Sequence, residues 1–154
     1  MLQKLELKVP PVAVWLVFAL LIWLVSQVLP LLQLTFRGHQ GLAVLLFVVG
    51  GVIALMGVLE FRRAQTTVNP LLPHQASCVV NSGIFKYTRN PMYLGMAVSL
   101  LGVAAWWSVL SGYLLIPVFC QYLSRFQIHP EEQALLKLFG APFADYMHRV
   151  RRWL

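Results

Sequence analysis

Apolar positions in this chain gather into long unbroken runs rather than alternating faces. One run follows Pro10-Pro11 and covers residues 12–32, and a second covers residues 41–61. Each holds about twenty residues, which at about 1.5 Å of rise per residue matches a hydrocarbon core of roughly 30 Å. A third apolar stretch, residues 92–126, is too long for one crossing and reads as a tight hairpin of two spans, 92–107 and 109–126. The hinge falls at Trp106-Trp107-Ser108, where tryptophan suits a membrane interface and Ser108 can cap the next helix. Pro30 should bend or end the first helix, and Pro117 should kink the fourth. The pattern predicts an all-α, polytopic membrane protein with four transmembrane helices, built as a single domain over residues 1–154.

The polar segments between these runs have their own organisation. Residues 1–9, with Lys4, Glu6 and Lys8, suit the interface. Residues 62–90 contain no run able to span and are punctuated by Asn69, Pro70, Pro73, Asn81, Ser82 and Gly83. A loop of that length in so compact a chain is usually functional. His74 in this loop has the chemistry of a ligand or base, but a lone loop histidine is more often neither. The segment 128–154 opens with Pro130, Glu131 and Glu132, a proline and two acids suited to the first turn of a helix. Gly140 should end that helix, and Phe143, Tyr146, Met147 and Val150 then recur at the spacing of a second, amphipathic one. Arg149, Arg151 and Arg152 would line the membrane face beside Trp153, or the segment would fold back as a lid.

Within the spans, Ser26 and Gln27 are expected to bond between helices. Gly50, Gly51 and Gly57 lie near one face and should let a neighbouring helix approach closely. Glu60 beside Arg62 and Arg63 reads as an interfacial ion pair in preference to a substrate contact.

Composition agrees with the spans. Apolar residues make up 59% of the chain and charged residues 11%, against roughly 25% charged in a soluble domain. The net charge of +7 does not indicate nucleic acid, because the cations flank apolar runs instead of forming one basic face. Eleven of the twelve lysines and arginines fall on one side of a four-span arrangement and only Arg37 on the other. That asymmetry places both termini and the 62–90 loop in the cytoplasm, in the inner membrane if the source is bacterial. The N-terminal run is too long for a secretory leader, and no small-residue cleavage pattern follows it. Cys78 and Cys120 are too few and too unlike in setting for a disulfide framework or a metal site.

The chemistry concentrates where loop meets third span, at Ser82-Gly83-Ile84-Phe85-Lys86-Tyr87-Thr88-Arg89-Asn90-Pro91-Met92-Tyr93-Leu94-Gly95. Asn90-Pro91 reads as an N-cap followed by proline at the first helical position. Free N–H groups there, with the fork of Arg89 and the charge of Lys86, favour a carboxylate or phosphate. The plainer alternative is a capped helix with basic residues held at the lipid surface.

This stretch, with Glu131-Glu132, Phe139-Gly140 and Tyr146…Arg149-Val150, resembles the isoprenylcysteine carboxyl methyltransferase and phospholipid methyltransferase superfamily over roughly residues 66–153. The resemblance implies S-adenosylmethionine bound at the cytoplasmic face and methyl transfer to a lipidic or isoprenoid-like acceptor entering from the bilayer. It implies cofactor contacts from Ser77, Cys78, Val79, Val80, Phe85, Asn90, Pro91, Met92, Tyr93, Glu131 and Glu132. It implies catalytic roles for Arg89, Glu131, Glu132 and Arg149. Asn90 stands where that family usually has histidine, and asparagine cannot titrate, so no histidine proton step is expected. Carboxylate O-methylation is favoured over amine N-methylation, since a carboxylate is already ionised near neutral pH. The competing classes are a sterol-reductase-like NADPH enzyme, for which no dinucleotide fingerprint is seen, and a non-enzymatic four-span scaffold binding anionic lipid.

Overall fold

The computed structural model describes residues 8–66 and 76–154. Lys4, Glu6, Asn69, Pro70, Pro73 and His74 lie outside the described residues. The described chain is all-helical apart from turns and one isolated bridge between Gln33 and Val109.

Helix α1 is Pro11–Val28, with proline in its first turn, where the missing N–H has no partner to lose. It ends short of residue 32 because Leu29, the residue before Pro30, leaves the helical region (φ −133°). Helix α2, His39–Arg63, extends beyond the predicted run at both ends. At 18 and 25 residues, about 27 and 37 Å, these two are long and apolar enough to cross a membrane. Leu16, Val17, Leu45 and Leu55 on their outer faces are more than half exposed, which suits lipid and not water.

Helix α3, Pro91–Trp107, is the element on which α1, α2 and the following helices pack. Its seam with α2 is built from small residues. A Cβ added at Gly50 would lie 2.5 Å from the Gly95 carbonyl oxygen, and one at Gly95 would strike the Gly50 carbonyl. Backbone therefore meets backbone, and Gly57 extends the seam toward Pro91 and Met92. Gly51, expected to share this role, faces open space. Nor do Ser26 and Gln27 join helices: the Ser26 hydroxyl donates to Ile22 O of its own helix at 2.6 Å, and Gln27 is exposed. The interhelical bond comes instead from Trp15, whose indole Nε1 donates to Ser99 Oγ at 2.9 Å.

Ser108 caps the end of α3 rather than the start of the next helix. It adopts the left-handed conformation (φ 49°), and its hydroxyl donates to Ala105 O at 2.7 Å. The predicted fourth span is not one helix. It comprises α4 (Leu110–Tyr113), α5 (Leu115–Leu123) and a π-helical turn, Ser124–Ile128, that leads straight into α6 (His129–Phe139). The break at Leu114 lies next to Tyr113, whose carbonyl would clash with the ring of Pro117 and finds no N–H there.

The π turn is the feature that aims the C-terminal half. Ile116, Phe119, Leu123 and Gln127 form the buried stripe of α5 and its extension. Beyond the wide turn the inward stripe restarts one residue later, as Ile128 and Glu132. An inserted residue of this kind changes helical phase and is often found at functional sites. Gly140 then breaks the chain at φ 60°, and α7, Ala141–Arg149, turns back. Two cores result. One packs Phe18, Ile22, Leu100, Phe119 and Leu123 between α1, α3 and α5. A smaller one packs Val80, Phe85, Phe143 and Tyr146 beneath the cytoplasmic ends predicted from charge.

Candidate active site

The smaller core surrounds a cavity that opens to the surface. Its walls come from five separate stretches of chain, the first being Phe61 of α2. Cys78, Val79, Val80 and Phe85 line it from the loop and the short 3-10 turn Gly83–Lys86. Arg89, Asn90, Pro91, Met92 and Tyr93 line it from the start of α3. Glu131, Glu132, Leu135 and Phe139 come from α6, and Phe143 and Tyr146 from α7.

The 3-10 turn is held in place on both sides. Glu60 at the end of α2 accepts from the Ser82 hydroxyl at 2.6 Å and pairs with Arg63 at 2.7 Å. It packs so closely on Gly83 (φ 53°) that a side chain there would overlap the Glu60 carboxyl. At the other end, the buried Tyr146 hydroxyl donates to Phe85 O at 2.8 Å. Burial holds that phenol well above its ordinary pKa, the neighbouring Arg89 charge opposing only in part, so it stays a hydroxyl donor.

The C-terminal strap after α7 is stitched to the start of α3. Arg89 N–H donates to Arg151 O at 3.0 Å, and the Thr88 hydroxyl to Arg152 O at 3.3 Å. Asn90 does not cap α3 with its side chain: its Nδ2 donates across to Arg152 O at 3.0 Å. The strap thus folds back over the Arg89–Tyr93 corner, and Trp153, expected as a membrane anchor, donates to Ser124 Oγ at 3.2 Å.

The two adjacent glutamates occupy opposite electrostatic settings. Glu132 is buried and receives two guanidinium groups: Arg89 Nη2 at 2.8 Å, and Arg152 through Nη2 at 2.5 Å and Nε at 3.2 Å. Arg89 also donates through Nη1 to Met147 O at 2.7 Å. Among the described residues Glu131 has no such cation. Its partner is the Tyr93 hydroxyl, which donates to Oε1. Burial pushes the Glu131 carboxyl up to about 8; the Tyr93 hydrogen bond opposes this, and the adjacent Glu132 charge adds to it. Arg89 Nε is a buried donor without a partner among the described residues.

Most sequence-predicted site residues therefore meet at one cavity, but two do not line it. Ser77 is exposed and bonds back to Thr66 and Gln65. Arg149 is also exposed, and its Nε donates to Asp145 O at 3.3 Å. In a run of three arginines the inward one is Arg152, which sequence could not single out because the turn after α7 decides it. Phe61, Leu135, Phe139, Phe143 and Tyr146 were also missed as wall residues, although the spacing of Phe143 and Tyr146 had marked the apolar face of an amphipathic helix. Lys86 stands outside the cavity. Among the described residues no three His, Cys, Asp or Glu side chains converge as a metal site.

Comparison with known proteins agrees with this arrangement. An uncharacterized protein of Haemophilus influenzae is 35% identical over 63 residues, covering 41% of this chain and all of that protein. No solved structure matches the chain. A family model described as phospholipid methyltransferase matches residues 39–142, from the start of α2 to the first turn of α7. That match begins earlier than the resemblance read from the sequence and stops short of Tyr146 and Arg152. A helical scaffold, a cavity joining α3 to α6 and a match over two-thirds of its length together show that the chain belongs to the phospholipid methyltransferase family, within the wider isoprenylcysteine and phospholipid methyltransferase superfamily.

Proposed function

We propose that the protein is an integral-membrane methyltransferase that uses S-adenosylmethionine at the cytoplasmic face and methylates a lipidic or isoprenoid-like acceptor. The observation that carries this reading is the meeting of the Arg89–Tyr93 corner with Glu131 and Glu132 around one cavity. In this reading α3 and the α4–α5 segment are the third and fourth crossings, and both termini are cytoplasmic, a reading that the distribution of lysine and arginine supports.

The cavity suits the cofactor on three counts. Its walls are largely apolar, which accommodates a ring and a thioether chain. The partnerless Arg89 Nε offers a donor to a carboxylate. Glu131, without a guanidinium of its own, offers a carboxyl to a positive charge. When bound, the cofactor supplies an electrophilic methyl group on a sulfonium. Val79, Val80, Phe85 and Met92 keep water out, and the Arg89–Glu132–Arg152 cluster holds the strap closed over the site. Neither Ser77 nor Arg149 has a part at the reacting centre in this reading, and Arg152 takes the structural place assigned to Arg149.

Displacement at a methyl carbon needs an aligned nucleophile and little else, which suits a carboxylate acceptor positioned by Arg89. The setting of Glu131 favours a second possibility, amine N-methylation. Among the described residues it is the one cavity carboxyl not committed to arginine, and once ionised its raised pKa makes it a fitting proton acceptor. Labelled-methyl transfer from S-adenosylmethionine into a membrane extract tests both. Base-labile label in the lipid fraction supports carboxylate esterification, and base-stable label supports N-methylation. Absence of S-adenosylmethionine and S-adenosylhomocysteine binding by calorimetry would overturn the proposal as a whole.

A further inference from the structure

The geometry points to a proton-for-cation exchange at Glu131: a positively charged ligand enters the cavity as the Glu131 proton leaves to solvent, whereas the neutral counterpart of that ligand enters without releasing it. The inference rests on the reading of the cavity as a sulfonium-cofactor site and adds a means of separating cofactor from product.

The charges around Glu131 can be counted element by element. Arg89 lines the same cavity from the segment leading into α3, Tyr93 from α3, Cys78 from the loop and Tyr146 from α7, while Glu132 sits beside it on α6 and Arg152 reaches Glu132 from the strap. Both arginines are committed to Glu132, through bonds of 2.8 Å and 2.5 Å. Arg89, Arg152 and Glu132 together carry one net positive charge while Glu131 is protonated. A further cation would raise that to two against walls that are mostly apolar, where unscreened like charges repel strongly. Ionising Glu131 keeps the total at one. The carboxylate so formed retains the Tyr93 hydroxyl as a donor and gains the ligand's charge as a partner.

S-adenosylmethionine and S-adenosylhomocysteine differ at this point by one methyl group and one positive charge. Coupling the charged form to loss of a proton makes its affinity rise with pH while Glu131 titrates, and leaves that of the neutral product nearly level. A cavity containing only arginine-paired carboxylates would lack this distinction, since neither would have a proton to release. Product would then leave more readily at higher pH relative to cofactor, from a site whose shape need not change.

Isothermal titration calorimetry on the full chain in detergent tests this directly. At pH 7, titrations in phosphate and in Tris, which differ in ionisation enthalpy, should show close to one proton released per S-adenosylmethionine bound and close to none for S-adenosylhomocysteine. Between pH 6 and 7 the Kd for S-adenosylmethionine should fall about tenfold, and that for S-adenosylhomocysteine by less than about twofold. Glu131→Gln should abolish the difference in proton release. Equal release with both ligands, or release that persists in Glu131→Gln, overturns the exchange. Failure of either ligand to bind overturns the parent reading instead. Should the variant not fold, the comparison of the two ligands on the unaltered chain decides the matter.

Discussion

The α2–α3 seam and the cavity between α3 and α6 share a helix but are held together by different forces. At the seam, backbone contacts backbone through Gly50 and Gly95, and dispersion over closely fitted surfaces is the main attraction. At the cavity, α3 is joined to the C-terminal strap through Arg89, Thr88 and Asn90, and to α6 through Arg89 with Glu132 and Tyr93 with Glu131. The seam has no room for another atom. The cavity has room, and what it does not tolerate is a change of charge. Along one helix, then, close packing against α2 sets position and polar links to α6 and the strap set chemistry.

The largest break in that contrast should come from Gly95→Leu. Its side chain would meet the Gly50 carbonyl and Ala54, where backbone cannot retreat as a flexible side chain could. We expect a loss of about 3 kcal/mol or more, seen as a collapsed yield of monodisperse protein and a lowered thermal transition in detergent. Glu132→Gln comes next. It leaves Arg89 (side chain 11% exposed) without its buried carboxylate, while Arg152 (37%) can turn to water. A loss of about 2–3 kcal/mol is expected, with weakened S-adenosylmethionine binding, and unchanged thermal stability would show that the cluster holds nothing in place.

A third test uses pH. Glu131 is raised from its ordinary 4.5 to about 8, so the folded state binds its proton more tightly than the unfolded chain does. The resulting stabilisation is complete below about pH 4.5, declines as pH rises, and is gone above about pH 8. Glu131→Gln should flatten this part of the stability profile between those limits, measured by thermal unfolding across pH. The smallest effect is predicted for Gly51→Ala, which meets open space and should gain or lose less than about 1 kcal/mol. A large loss there would mean that α2 packs on something other than α3.

Much of the site could be read in advance because its residues are adjacent in sequence. Arg89 to Tyr93 are consecutive, as are Glu131 and Glu132, and a proline opening each helix marked where both groups begin. Arg152 could not be read in the same way, because Arg149, Arg151 and Arg152 are chemically alike and only the path of the strap separates them. The π turn at Ser124–Ile128 was equally hidden. Its residues have no proline or glycine to announce a change of helical phase, and the extra residue is tolerated because Gln127 finds Val9 O at 2.6 Å.

Apolar run length by itself determined the helical class and the two long spans, because burial of a whole backbone in lipid admits few alternatives. Family membership was also legible, in short motifs whose spacing survives without knowledge of the fold. Only the tertiary structure decided which of two neighbouring glutamates is paired and which is left with a tyrosine. Helical phase, chain reversal at Gly140 and the return of the strap together determine which charges meet, and none of these is a property of any local stretch.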